Sequence, residues 1–251
     1  MTPEIRLLGL SALPEVTPGM NLAELARAAV YEAGEAFQDG DVLVVTHKIV
    51  AKAEDRLVDL RTVEPSDFAQ RWAARWKKDP RHIEVVLRES VRIVRMDRGI
   101  LITETPHGFV CANAGVDASN VPGEDVVCLL PLDPDGTARA IHQALKEATG
   151  AHIAVIIADS FGRPWRNGIV NVAIGAAGIA PLVDYRGQED DFGRTMQVSV
   201  LAVADELASA AELVTGKVSR CPMALIRGYP YARSGGSARD LVMHPATDMF
   251  R

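Results

Sequence analysis

Cysteine is scarce in this chain. The 251 residues include three, Cys111, Cys128 and Cys221. The number is odd and no pair has CxxC spacing, so neither a disulfide framework nor the usual zinc arrangement is suggested. Free thiols suit a reducing compartment. A surplus of positive charge is also missing. The net charge of −6 argues against a broad nucleic-acid face, although a local basic pocket stays open. No apolar run approaches the ~20 residues that span a bilayer. Met1-Thr2-Pro3-Glu4-Ile5-Arg6 does not open like a secretory leader. The expectation is a cytoplasmic protein with no membrane partner. Internal repeats and low-complexity linkers are absent, as are GxGxxG after a strand, HExxH and GxSxG. Gly216-Lys217-Val218-Ser219 is only a partial echo of a phosphate loop, without its upstream glycine. Any nucleotide here is bound outside the common phosphate-loop solutions.

What is present is enough apolar material, 48% of residues, for one large core or two small ones. Ile5–Leu10, Val42–Thr46, Val126–Leu130, Ile153–Ala158 and Met223–Arg227 read as strands. Ile93–Met96, Ile100–Thr103 and Gly108–Asn113 read as an antiparallel meander, and Ala180–Tyr185 as a further strand. Asn21 is placed to cap a helix with Leu22, Leu25, Ala29 and Val30 on its apolar face. Further helices are expected over Ser66–Lys77, Pro80–Ser90, Thr137–Ala148 and Val198–Val214. The pattern puts Trp72 and Trp76 in the core, and Val198 and Leu201 on the buried side of the last helix. Asn167–Ala177, rich in Gly and Ala, is left without an assignment. The mixture predicts an α+β fold, with mixed and largely antiparallel sheets flanked by helices.

Two carboxylates draw attention. Asp117 lies in Cys111-Ala112-Asn113-Ala114-Gly115-Val116-Asp117-Ala118-Ser119-Asn120, and Asp159-Ser160 closes the apolar run Ile153–Ala158. A carboxylate at a strand mouth, with a hydroxyl beside it, suits a hard divalent cation. The bland alternatives are an Asx turn at Asp117 and a helix N-cap at Asp159 or Ser160. Arg163 and Arg166 follow, and arginine forks suit phosphate or carboxylate. His47, Lys48 and Lys52 follow the strand at 42–46. Lys48 and Lys52 share a face if helical, as a phosphate site or as a solvated surface in which Lys52 pairs with Glu54.

Several segments together resemble the coenzyme F420-0:L-glutamate ligase family. They are Leu10-Ser11-Ala12-Leu13-Pro14, Asp39–Val45, Lys52-Ala53-Glu54, Asn113–Asn120, Leu130–Gly136, Ile156–Arg163, Ala204-Asp205-Glu206 and Ile226-Arg227-Gly228. The resemblance covers nearly the whole chain. It implies one ligase unit over residues 1–251, or two intertwined subdomains within it, and no C-terminal nitroreductase-like domain. It implies a GTP-dependent amide ligase that takes L-glutamate and F420-0, a deazaflavin, uses Mg²⁺ or Mn²⁺ with K⁺, and forms a homodimer. Carried over by motif, Asp117, Asp159 and Ser160 are implied metal ligands. Ser11, Ala12, Leu13, Pro14, His47, Lys48, Lys52 and Asn120 are implied nucleotide contacts. Asp117 and Asp159 are catalytic candidates, with Arg163 added on chemistry alone. Lys217 departs from the family, which commonly has Glu or Gln there; a lysine cannot ligate metal as a cation but can contact phosphate. A metal-dependent phosphohydrolase and a non-catalytic GTP-binding sensor remain the alternatives.

Overall fold

The computed structural model of the protein describes residues 2–248. In chain order the elements are β1 (Arg6–Leu10), α1 (Leu22–Glu32), β2 (Val42–Thr46), α2 (His47–Ala53), β3 (Leu57–Asp59), α3 (Asp67–Trp76), α4 (Pro80–Arg88), β4 (Arg92–Asp97), β5 (Ile100–Glu104), β6 (Val110–Ala112), β7 (Val126–Cys128), α5 (Pro134–Thr149), β8 (Ala154–Arg163), β9 (Arg166–Ala177), β10 (Val183–Asp184), β11 (Val200–Leu201), α6 (Val203–Thr215) and β12 (Met223–Arg227). This is the expected α+β fold. Among the described residues no helix is long and apolar enough to cross a membrane.

A five-stranded sheet in the order β1-β12-β2-β8-β9 forms the centre. Its pairs are antiparallel except β2 with β8. Side chains alternate across a strand, and β2 shows the result. Leu43 and Val45 join α1, α2 and α5 in one core, whereas Val42 and Val44 face α6 in another. Each such side chain, fully buried, contributes about 1.5–3 kcal/mol. Residues 57–129 add a third core, in which α3 and α4 pack on Leu101, Val116 and Val127. The Asn21 side chain accepts from the N–H groups of Ala23 and Glu24 at 3.0 and 3.3 Å, as the sequence predicts. Such a cap stabilises by about 1 kcal/mol.

Three expectations are corrected. Asp159 and Ser160 do not end a strand: β8 runs on to Arg163 and pairs with β9 as a long hairpin, bulged between Ile157 and Ala158. The unassigned segment at 167–177 is therefore a strand. Its small residues reflect close packing, since a Cβ at Gly175 would lie 2.5 Å from the carbonyl oxygen of Pro134 on α5. The last helix starts at Val203, not Val198. Val200–Leu201 instead pair with Val183–Asp184, and Val198 is 87% exposed. The β-branched Val198 and Val200, alternating with Ser199, favour an extended chain over the helix their spacing imitates. Trp72 and Trp76 are only half-buried, their rings tilted by 57° at 5.8 Å between centroids, with Trp72 packed against the third core.

β9 is an edge strand, and its outward N–H groups are closed by carboxylates rather than left to pair with another chain. Glu212 accepts from Asn171, Asp205 from Ala173 and Asp135 from Ala176, at 3.1, 2.8 and 2.8 Å.

Candidate active site

The sheet register brings the end of one strand to the end of the next. Leu10, Met223, Val45 and Ile157 form one row across β1, β12, β2 and β8. Just beyond that row lie Ser11–Pro14, the first turn of α2 and Asp159. The loop that carries Lys217 enters β12 at the same end. This is the carboxyl end of β1 and β2 and the amino end of β12, while β8 continues past it to Arg163.

Two consecutive residues at the start of α2 hold the two aspartates. His47 Nδ1 lies 2.9 Å from Asp159 Oδ1, with the imidazole 4% and the carboxylate 12% exposed. Burial disfavours a charged ring at His47, but the charge and hydrogen bond of Asp159, with Cys128 beside it, raise its pKa to about 9. Lys48 Nζ lies 2.5 Å from Asp117 Oδ2, and Asp117 is 44% exposed. Burial pushes the Asp117 carboxyl up, yet the Lys48 and Ser119 bonds outweigh it and leave its pKa below the usual value. Asp117 Oδ1 also accepts from Ser119 N at 2.8 Å. The Asx turn is therefore real and coexists with the lysine contact.

The remaining contacts close a ring. The Lys217 ammonium donates to the Ser160 hydroxyl and lies 3.2 Å from Glu212 Oε1. Ser160 Oγ donates to Asn171 Oδ1 at 2.7 Å, directly across the hairpin. Asn120 Nδ2 donates to the Lys217 carbonyl at 3.4 Å. The path Asp117–Lys48–His47–Asp159–Ser160–Lys217–Asn120 returns to within three residues of its start. Asp117 and Cys128 also pair as an isolated bridge, tying the Asp117 loop to β7.

Other predicted residues sit differently. Lys52 is buried and pairs with Glu15, not Glu54, and so stays close to the Ser11–Pro14 loop. Glu54 instead accepts from Thr137 Oγ1 and Leu132 N. His47 faces inward, so its ring is not presented to a ligand. Arg163 is held in the hairpin tip, with Nη2 on the Asn167 carbonyl at 2.8 Å. Arg166 is exposed beyond it. Sequence reasoning missed Ser119, Cys128, Asn171 and Glu212. Only the strand pairing could have supplied Asn171, which lies opposite Ser160.

Among the described residues no three His, Cys, Asp or Glu side chains form a ready metal cluster. The ring of contacts carries hard oxygens, two carboxylates and the Ser160 hydroxyl, each paired with its own cation: Asp117 with Lys48, Asp159 with His47 and Ser160 with Lys217. Mg²⁺ takes one or two carboxylates and completes its shell with waters and substrate phosphates. Carboxylate and hydroxyl oxygens are the donor types such an ion takes.

A family model described as F420-0:gamma-glutamyl ligase matches residues 11–228. The chain belongs to the F420-0:gamma-glutamyl ligase family. It is 44% identical to the coenzyme F420:L-glutamate ligase of Methanothermobacter thermautotrophicus over 250 residues, covering 98% of this chain and 99% of that protein. The Methanopyrus kandleri protein of the same name is 44% identical, with coverage of 99% and 98%. That of Methanocaldococcus jannaschii is 39% identical, with coverage of 99% and 97%. The family match takes in every member of the ring of contacts, from His47 to Lys217.

Proposed function

We propose that this chain is a GTP-dependent ligase that joins L-glutamate to coenzyme F420-0, and then adds further γ-linked glutamates. The observation that carries the proposal is the ring of contacts around Asp117 and Asp159, in a chain that aligns end to end with F420:L-glutamate ligases.

A carboxylate is a poor electrophile toward an amine. The reaction therefore begins with transfer of the γ-phosphoryl group of GTP to the F420-0 carboxylate, which forms an acyl phosphate and releases GDP. The glutamate amine then attacks the acyl carbon, the C–O bond to phosphate breaks, the amine gives up a proton and phosphate leaves. Phosphoryl transfer of this kind needs positioning and charge neutralisation more than covalent help from the protein. Asp117, Asp159 and Ser160 would hold Mg²⁺ or Mn²⁺, which supplies positive charge at the phosphates. K⁺ is a further requirement under this proposal, and the working form is a homodimer.

The chain's own residues take these parts. His47 fixes the Asp159 carboxylate from behind. Lys48 holds Asp117 from the open side and offers an ammonium to phosphate. Lys217 places a second ammonium on Ser160. The Ser11–Pro14 loop, Lys52 and Asn120 border the nucleotide, and Arg163 is in reach of a substrate carboxylate or phosphodiester beyond the hairpin.

The test is glutamate-dependent GDP release with F420-0 as acceptor. Asp117→Asn and Asp159→Asn should each lower turnover at least ~100-fold, in line with loss of charge stabilisation at a transferring phosphoryl group. Asp117→Asn should keep wild-type stability, whereas Asp159→Asn should fold with reduced stability because buried His47 loses its carboxylate. Phosphate release without glutamate would instead mark a phosphohydrolase, and GTP binding without turnover a sensor.

A further inference from the structure

The β8–β9 hairpin carries a feature that the ring of contacts does not use. A cleft of about 240 Å³ lies at the outer edge of β9, lined by Phe109, Phe161, Val172, Val242, Asp205 and others. The Phe109 and Phe161 rings meet edge to face at 6.2 Å between centroids, with 73° between their planes. Phe161 is two residues after Asp159 on β8, so the two side chains share a face, and Val172 lies directly opposite Asp159 in the register. One wall of the cleft is therefore continuous with the carboxylate site. Asp205 gives one oxygen to Ala173 N, and the other remains to accept from a ligand N–H.

We propose that this cleft is the acceptor-ring subsite, seating the flat heteroaromatic ring of the deazaflavin against the edge-to-face Phe109–Phe161 pair, with Asp205 accepting from a ring N–H. The inference rests on the ligase reading above. An aromatic ring packs well on aromatic faces and edges, and the few polar groups of an otherwise apolar cleft, here Asp205 with Asp248 also on the wall, fix its orientation. The flexible tail then runs along the β8 face, so that its terminal carboxylate reaches the phosphates at Asp117 and Asp159.

The test is steady-state ligation with F420-0, GTP and L-glutamate varied in turn, together with F420-0 binding followed by its fluorescence without nucleotide. Val242→Trp fills the cleft from a half-buried loop position and should raise the KM and Kd for F420-0 roughly tenfold or more, since most of the ring's apolar contact is lost. The KM values for GTP and glutamate should stay as in the wild type. Asp205→Asn keeps an acceptor for Ala173 N and should weaken F420-0 about fivefold through one hydrogen bond. Phe161→Leu keeps the cleft apolar and guards against misfolding of the tryptophan variant; it should weaken F420-0 alone. Wild-type affinity for F420-0 in folded Val242→Trp and in Phe161→Leu, with ligation intact, would overturn the subsite and leave the ligase reading standing. Wild-type protein with no glutamate-dependent turnover would overturn both.

Discussion

His47 and Lys48 are neighbours in sequence, and each grips an aspartate from a distant part of the chain, yet the two pairs live in different media. The His47–Asp159 pair is almost closed to water, with Cys128 packed beside it. The Lys48–Asp117 pair stands half open, shared with Ser119. Successive side chains on a helix point about 100° apart, so the first turn of α2 can send one cation into the core and the next toward the ligand. The closed pair sets where Asp159 sits. Under the ligase reading proposed above, the open pair is the half that exchanges partners when a nucleotide binds. One turn of helix thus separates the part of the site that must stay still from the part that must exchange partners.

The sharpest way to break this contrast is to remove one half of each pair. His47→Ala leaves a nearly buried carboxylate without its partner, and loss of one member of a buried pair costs about 3–5 kcal/mol. Urea unfolding should show that loss as a lower midpoint with little change in slope. A loss under 1 kcal/mol would mean that the pair does not hold Asp159 in place. Lys48→Met should behave in the opposite way. Ion pairs open to solvent contribute about 0–1 kcal/mol, so the unfolding midpoint should hardly move, while GTP-dependent turnover falls. If Lys48→Met proved as destabilising as His47→Ala, the division between a fixed and an exchangeable half would fail.

The same contrast explains what could be read in advance. The strands at 42–46 and 223–227 and the helix capped by Asn21 are visible because local pattern and tertiary role agree. Both aspartates also stand out, as polar residues closing apolar runs. The hairpin does not, because Asp159, Ser160 and Asn171 interrupt its apolar alternation, and β9 uses Gly175 and its alanines to let helices come close. The inward turn of His47 is equally hidden. Its partner lies more than a hundred residues away, and a basic segment after a strand reads as surface until the sheet register places Thr46 beside Ala158. Lys217 looked like a departure from a ligand set; its contact with Ser160 depends on a loop position that no local pattern specifies.

The smallest effect sharpens the contrast from the core side. Cys111 and Cys128 are buried, and Cys221 is buried at the base of β12. Thiolates, not thiols, react with disulfide reagents. Burial, followed by the charge of Asp159, pushes the Cys111 thiol up to about 12, and burial also raises Cys221. Native protein mixed with an aromatic disulfide should therefore release almost no thiolate dye from pH 7 to pH 9, whereas all three thiols should react once urea unfolds it. The His47→Ala variant adds the decisive arm. If that imidazole helps to seal the Asp159 side, its removal should let Cys128 or Cys111 react under native conditions, and Lys48→Met should not. Equal reactivity in the two variants would show that the seal comes from the apolar packing alone, with no share held by the buried ion pair.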